Sequence, residues 1–485
     1  MKRAAYLSTI AADTGDIFVL VAPVTCLPLI VAVLFSEWTM FLPMATVPLL
    51  CYLSGHVLKR LPRNEREHRL STAMCSVALF WFACAAISGI PFMLGLQMSF
   101  TDALFEGMAG WTGTAFSMTR ALDTVPHTLL IWRSFMQWIG GIGIIAFSVA
   151  IAGRSGLFPA KLHRTEGRDE PLMPGMVAAG KSLYKIYGLL TFLAIGLVLF
   201  SGLSLWESVN LALAVISTGG FTLHSGGILY YQSVTLELLL IPVMIAGALP
   251  FRLYFLIVQK RRWSLFGDEQ VKLFFTCTIV GTLILTADLL FFHDMDLVIA
   301  LKQGLFMTVS ALSTTGFQNA NLHTWASTTL LFLAMIMFIG GAAGSTAGGI
   351  KLNRVAFAFH GLVWWFRRVF ASGRILIPLR IEGRMIPRAT AELETAKNML
   401  VIILSVTVIS VATLCVLQFH FTSYPTMDVL FDTVSAFSTC GLSTGYVSYE
   451  MPVFSKWIFI LVMWVGRLEV IPVVMLFVAL FRGPE

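Results

Sequence analysis

The sequence predicts an all-α polytopic membrane protein, with four pseudo-repeated units of helix, pore helix and helix around one central pore, preceded by an N-terminal two-helix hairpin. Three observations predict it. Hydrophobic residues make up 57% of the 485 and charged residues only 12%, with a mean hydropathy of +0.82. A soluble globular chain has no use for so much apolar surface. The apolar runs are long and continuous, as spanning helices of about 20 residues require; a membrane barrel would show short alternating segments instead. The third observation is a short polar stretch used four times. Ser313-Thr314-Thr315-Gly316-Phe317 recurs as Ser438-Thr439-Cys440-Gly441-Leu442, as Ser217-Thr218-Gly219-Gly220-Phe221 and, less perfectly, as Thr112-Gly113-Thr114-Ala115-Phe116. Each copy follows a short apolar segment and precedes a long one.

The net charge of +7 is not a nucleic-acid signal, because the basic residues stand in short connectors between apolar runs. The seven cysteines lie in or beside apolar segments without CxxC or metal-ligand spacing and read as buried, inert thiols. Cys440 differs only in lying inside a motif.

In chain order, Asp13 and Asp16 precede an apolar run beginning near Ile17. Acidic residues ahead of the run and no small-residue cleavage site behind it favour a retained crossing over a signal peptide. Crossings at 17–36 and 39–58 form the hairpin. The connector Lys59–Arg69 carries five basic residues in eleven, which places it in the cytoplasm. The hairpin and connector occupy 1–69, and the four units occupy 70–181, 182–270, 271–393 and 394–485. Within them, crossings at 70–97 and 128–152, 182–203 and 233–259, 271–292 and 328–362, and 394–419 and 454–481 flank half-segments at 101–112, 205–217, 298–313 and 425–438. Ten full crossings follow.

Connectors bearing Arg154, Lys161, Arg164 and Arg168, then Lys260, Arg261 and Arg262, then Arg367, Arg368, Arg374, Arg380, Arg384 and Arg388 read as cytoplasmic. Glu37, Asp123, Asp294, Asp296 and Glu450 mark the other side. All four motifs therefore face outward, and both termini are cytoplasmic.

Half-segments of about 12–15 residues are too short to span and suit re-entrant helices. Such a helix aims the negative end of its dipole at the axis, which favours a cation. The Ser/Thr-Thr-x-Gly residues that follow leave helical geometry, and their carbonyls can replace a cation's hydration shell. Glycine permits the backbone angles this needs. One such segment reads equally well as an interfacial loop. Four in one register, with Asp102/Glu106 and Asp428/Asp432 at matching offsets and Phe306 in the corresponding place, read as an ion filter. The filter residues on this reading are Thr112, Gly113, Thr114 and Ala115; Thr218, Gly219 and Gly220; Thr314, Thr315 and Gly316; and Thr439, Cys440 and Gly441.

Two further features stand out in the apolar background. Gly340–Gly349 is a run of ten small residues inside the third unit's last crossing, followed by Ile350 and Lys351. It makes poor helix and can unwind only where protein or water satisfies its backbone; close helix packing is the other reading. It lacks the spacing of a Walker loop. Arg467 falls near the middle of the final crossing, where insertion costs about 2.5–3.5 kcal/mol. An ion pair with Glu469 is one reading, a functional charge the other. Arg133 and Arg252 also interrupt apolar runs. No Ser/His, paired-Asp or HExxH arrangement supports an intramembrane enzyme, and few titratable groups fall where a proton relay would need them.

These motifs, together with Trp132-Arg133-Ser134-Phe135-Met136-Gln137-Trp138-Ile139-Gly140-Gly141-Ile142-Gly143-Ile144-Ile145, resemble the TrkH/KtrB/HKT superfamily of potassium transporters over nearly the whole chain. The bacterial TrkH branch, with its extra N-terminal hairpin, is the most similar. The resemblance implies potassium uptake across the bacterial cytoplasmic (inner) membrane through a channel-like pore, with potassium at the filter residues and no other cofactor. It implies that Gly344, Ser345, Thr346, Ala347, Gly348 and Gly349 belong to an intramembrane gating loop below the filter, with Arg467 facing the pore beside it. It also implies a homodimer, and a cytosolic nucleotide-binding regulatory subunit of the TrkA/KtrA type. Membrane lipid completes the partners; nucleic acid is not among them. The family's filter glycines fall on Gly220, Gly316 and Gly441, but the first position is Ala115, where a positive φ would cost about 1–2 kcal/mol. Loss of this first glycine to serine accompanies sodium permeation in the plant branch. A less selective, sodium-coupled or sodium-carrying transporter is therefore the alternative.

Overall fold

A computed structural model of the protein describes residues 2–63, 70–154, 176–258, 267–370, 378–381, 384–419 and 424–482. The hairpin is built from α1 (Lys2–Val21) and α3 (Trp38–Lys59), joined through a 3-10 turn at Val24–Cys26 and the short α2 (Leu27–Leu34). The expected first crossing at 17–36 is corrected: the spanning helix runs from residue 2 and stops before Pro23, which has no N–H to continue it. Asp13 and Asp16 thus lie inside α1 rather than ahead of it. They are tolerated because Arg63 reaches Asp16 at 2.6 Å and Asp13 at 3.9 Å, while Lys59 stands 3.4 Å from Asp16.

Each unit has a first helix, a half-helix, a non-helical motif and a return helix. Unit one is α4 (Leu70–Leu96), α5 (Phe100–Thr112) and α6 (His127–Arg154). Unit two is α7 (Met176–Leu199), α8 (Leu205–Ile216), α9 (Val234–Ala248) and α10 (Phe251–Val258). Unit three is α11 (Glu269–Phe292), α12 (Leu297–Leu312), α13 (Ser327–Ile339) and α14 (Leu352–Phe370). Unit four is α15 (Arg388–Phe419), α16 (Thr426–Phe437), α17 (Val453–Arg467) and α18 (Ile471–Phe481). A two-stranded antiparallel ribbon, β1 (Leu379–Ile381) paired with β2 (Arg384–Ile386), sits between α14 and α15.

Three of the four half-helices start where capping side chains stand; α16 instead follows Pro425, without a side-chain cap. Ser99 accepts the Asp102 N–H, Ser204 and Glu207 form a reciprocal capping box, and Asp296 accepts the Val298 N–H. Each half-helix packs on the first helix of its own unit and on the return helix of the preceding one: α8 on α6, α12 on α9, α16 on α13 and α5 on α17. That last contact closes the four units into a ring in chain order.

The return helices are where the copies diverge. In unit one α6 runs unbroken. In unit two the expected crossing at 233–259 is bent by 96° between α9 and α10. Leu249 is extended because Pro250 follows it, and the helix stops there. In unit four the expected crossing at 454–481 is bent by 110° between α17 and α18, with Glu469 and Val470 both at positive φ. In unit three the chain is non-helical from 340 to 351, where the small-residue run lies. The expected ten crossings are corrected accordingly. Among the described residues seven helices are long and apolar enough to span, or nine if each bent pair counts once; α13 has only 13 residues.

The cysteines are all free, but only Cys51, Cys75, Cys84 and Cys440 are buried; Cys277 and Cys415 are half-buried and Cys26 is exposed. The connector residues Arg66, Arg69, Lys161, Arg164, Arg168, Lys260, Arg261, Arg262 and Arg374 lie outside the described residues.

Candidate functional site

The four half-helices end in one geometry. The second motif residue is left-handed in every copy: Gly113 at φ +69°, Thr218 at +51°, Thr314 at +54° and Thr439 at +49°. The N–H of the third residue then reaches back five positions. Thr114 donates to Ala109 at 2.8 Å, Gly219 to Ala214 at 2.8 Å, Thr315 to Ser310 at 2.9 Å and Cys440 to Ser435 at 2.9 Å. This Schellman-type ending caps the helix and turns the chain out of it. A β-branched residue is rare at such a φ, and three threonines hold it at about 1–2 kcal/mol each. Strain of this kind persists only where the surrounding structure holds it, and here it recurs at one register position in three copies.

The fourth motif residues meet. Gly220, Gly316 and Gly441 have φ of +77°, +85° and +91°. A Cβ on Gly220 would stand 1.9 Å from the Thr315 carbonyl oxygen, and one on Gly316 would stand 2.0 Å from that of Cys440. One on Gly441 would fall 2.1 Å from the Ala115 nitrogen. Each strand thus abuts the next, and only glycine fits three of the four places. Ala115 is the exception in backbone as well as side chain. It is absent from the positive-φ residues, and its N–H points to the Cys440 carbonyl at 3.4 Å. Its methyl lies 2.9, 3.0 and 2.5 Å from the places that Cβ atoms on Gly220, Gly316 and Gly441 would take. The methyl therefore stands where the other three strands converge.

The run 340–351 lies against one end of this ring. Gly348 N–H donates to Thr314 Oγ1 at 2.7 Å, Gly349 N–H to the Ser438 carbonyl at 3.1 Å, and Thr218 Oγ1 to Thr346 Oγ1 at 3.2 Å. Three of the four motif copies therefore touch it directly. Further bonds tie it to the break in unit two, Ala342 N–H to Ala248, Thr346 N–H to Gly247, and Phe251 N–H to Gly344, and to α11, where the Gln270 side chain accepts the Ala343 N–H at 2.8 Å. Ser345 Oγ closes the turn on the Ala342 carbonyl, and the Ala347 N–H returns to Ser345 Oγ. Backbone outside a helix is tolerated at this depth because protein groups satisfy it.

Arg467 is buried and donates to the Thr346 carbonyl at 2.9 Å and the Gly140 carbonyl at 3.2 Å. A Cβ on Gly113 would lie 3.7 Å from its Nη1. The alternative pairing with Glu469 is not what forms. Glu469 is taken by Lys351 at 3.1 Å and by Arg354. Lys351, which sequence alone allowed to be a first cytoplasmic residue, is only 4% exposed, so the end of the loop is tied to the break between α17 and α18.

Two pore-helix acids brace the strands after their own motifs at one offset. Glu106 accepts the Met118 N–H at 2.7 Å, and Asp432 accepts the Thr444 N–H at 2.9 Å. Glu106 is also paired with Arg133 at 2.7 Å, fully buried, and Arg133 donates onward to the Thr222 carbonyl at 2.8 Å. Asp102 pairs with Lys456 at 2.6 Å, joining units one and four. Arg252 pairs with Asp268 at 2.5 Å.

At the rim, outside the spanning segments, the His224 imidazole and Ser225 hold the Asp123 carboxyl below its usual range. Glu37 binds the start of α6, accepting the His127 N–H at 2.7 Å and the Thr128 N–H at 2.8 Å. Burial alone raises the Glu37 carboxyl, but the bonds from Thr128 and His127 outweigh it and hold it low.

The residues singled out from sequence in the four motifs, the loop and Arg467 are thus brought together. The Lys351–Glu469–Arg354 cluster was not foreseen, nor were the bonds of the Gln137 amide to the Gly219 carbonyl and the Phe221 N–H. The only signals for them were charges and an amide within apolar sequence.

Similarity to known proteins is extensive. The family model described as TrkH, cation transport protein, matches residues 48–482. An uncharacterized cation transporter of Methanocaldococcus jannaschii is 31% identical over 470 residues, 96% of this chain and 94% of that protein. The Trk system potassium uptake protein TrkH of Halomonas elongata is 28% identical, covering 94% of this chain and 95% of its own. That of Escherichia coli is 26% identical, covering 86% and 87%. The crystal structure of the potassium transporter TrkH from Vibrio parahaemolyticus superposes with a TM-score of 0.85 at 24% identity, over 97% of this chain and 98% of that one, and carries the fold alone.

Proposed function

Because the chain belongs to the TrkH family of cation transport proteins, we propose that it takes up potassium through one channel-like pore across the bacterial cytoplasmic membrane, with both termini cytoplasmic. The names of the Halomonas elongata and Escherichia coli relatives support potassium as the ion. The observation that carries the reading is the convergence of four strands whose half-helices end alike and whose fourth residues abut. In this reading the carbonyls of residues 112–115, 218–220, 314–316 and 439–441 replace the water around a potassium ion. The units run 70–181, 182–270, 271–393 and 394–485, after the hairpin of 1–69.

Residues 344–349 form the gate, held closed under the filter by their bonds to Thr218, Thr314 and Ser438. Arg467 anchors the gate through Thr346 and sets a positive charge in the cation's path. Opening then needs a force applied to the loop or to α14, which follows it. A cytosolic nucleotide-binding subunit of the TrkA/KtrA type supplies that force, and the transporter works as a homodimer. No chemical catalysis is involved.

One observation favours a second reading, in which the protein is less selective, sodium-coupled or sodium-carrying. The methyl of Ala115 stands where the other three strands carry only glycine. Ion flux through purified protein in liposomes, with potassium and sodium side by side, decides. Strong preference for potassium supports the first reading, comparable sodium flux the second, and absence of cation flux in the presence of the regulatory partner rejects both.

A further inference from the structure

Copy two differs from the others at its third motif position, where Gly219 replaces Thr114, Thr315 and Cys440. The difference has no backbone cause, because Gly219 is not among the positive-φ residues and any side chain could adopt its conformation. The cause is a neighbour. A Cβ on Gly219 would lie 2.4 Å from Cδ and 2.5 Å from Oε1 of Gln137, a fully buried residue on α6. The Gln137 amide meanwhile grips the strand at two points. Its Nε2 donates to the Gly219 carbonyl at 2.7 Å, and its Oε1 accepts the Phe221 N–H at 3.1 Å.

The space is used differently elsewhere in the ring. In copies one and three a hydroxyl fills the third position and bonds the first: Thr112 to Thr114 at 2.9 Å and Ser313 to Thr315 at 2.7 Å. One helical turn before Gln137, Arg133 holds the same strand through the Thr222 carbonyl, with its guanidinium 4.0 Å from the Phe221 ring. Two side chains of unit one therefore hold residues 219–222 of unit two.

We infer that Gln137 is a positioning residue for the second strand, taking the place of the missing third side chain and fixing the peptide that carries the Gly219 carbonyl. The inference rests on the filter reading above. Cation preference is on this account set partly from behind the strand, by an amide that touches no ion. A carboxylate cannot replace it, because it has no donor for the Gly219 carbonyl.

The test compares full-length wild type, Gln137→Ala, Gln137→Glu, Gly219→Thr and the double variant Gln137→Ala/Gly219→Thr in liposomes. Potassium and sodium fluxes are measured separately. A merely structural defect lowers both fluxes together and leaves their ratio alone. Gln137→Ala and Gln137→Glu should each change the ratio by about fivefold or more, the worth of one or two lost hydrogen bonds. Gly219→Thr should lose flux by collision with Gln137. The double variant, which gives copy two the Thr-Thr-Gly of copy three, should recover flux by about tenfold relative to Gly219→Thr, as expected for coupled neighbours. An unchanged ratio in Gln137→Ala, or a double variant no better than Gly219→Thr alone, overturns the inference. A wild type that conducts no cation even with the regulatory partner present overturns the filter reading and this inference with it.

Discussion

Exchanging Ala115 for glycine should let the first strand adopt the backbone of the other three. In the present structure Ala115 stays out of the left-handed region that Gly220, Gly316 and Gly441 occupy. Entering it costs an L-alanine about 1–2 kcal/mol, a bias of about fivefold to thirtyfold against fourfold equivalence. Glycine removes that bias. It also removes a methyl that stands 2.5 to 3.0 Å from the places Cβ atoms on the facing glycines would take, where an ion would need oxygen around it rather than carbon. Both effects act in one direction, so the potassium-to-sodium permeability ratio should rise by about fivefold to thirtyfold if the conformational bias is fully released. The assay is paired flux in liposomes for wild type, Ala115→Gly and Ala115→Ser. Serine keeps both the Cβ and the bias and should not raise the ratio. An unchanged or lower ratio in Ala115→Gly, with flux intact, would refute the reasoning and make residue 115 a tolerated variation.

The converse exchange, Gly316→Ser, sets a Cβ 2.0 Å from the Cys440 carbonyl at a φ of +85° and should lower the ratio by at least about fivefold; an equal ratio would argue against the filter assignment. Arg467→Ala should raise basal flux. A guanidinium roughly 5 Å from a passing cation opposes it by about 3 kcal/mol at an effective dielectric of 20, so a rise on the order of tenfold is expected even after screening. A folded variant with unchanged or lower flux rejects that role, and Arg467→Lys, which keeps the charge, should stay near wild type. Deleting 345–347 should likewise raise flux or destabilise the closed state, and normal gating in that variant would reduce the loop to packing. Acid should loosen the contact between the hairpin and α6. The Glu37 carboxyl is held low in the fold, so its contribution is present above the ordinary glutamate value of about 4.3 and is lost as pH falls through the lower folded value. The melting temperature of purified protein should fall over that window, and Glu37→Gln should flatten the fall; identical acid profiles would remove Glu37 as the cause.

The half-helices were legible to within a residue or two because local chemistry bounds three of them at both ends, and α16 starts directly after Pro425. Ser99, Ser204 and Asp296 cap their starts, and the motifs stop them. The direction of the return helices was not legible. Hydropathy scores the 233–259 run as one crossing, and proline is an ambiguous sign. Pro250 marks a 96° bend, whereas Pro43, Pro48, Pro91 and Pro242 lie inside continuous helices. The left-handed Glu469 and Val470 carry no glycine to announce them; Lys351 and Arg354 grip that glutamate from a distant part of the chain. Asp13 and Asp16 misled for a related reason, since the cations that neutralise them stand beyond the next helix. The four motifs were found by repetition, but Gln137 could not be, because an amide's partners are set by which helix ends up behind which strand.

The ring closes through α5 on α17 within a single polypeptide. A ring assembled from four identical chains can change only in lockstep, since any substitution appears at every quarter at once. Here one codon alters one quarter. Gly219 against Gln137, and Ala115 against three glycines, are each one-quarter edits of a shared design. A ring made within one chain can therefore be adjusted by quarters, with an imperfect residue in one place while three intact copies keep the ring in shape.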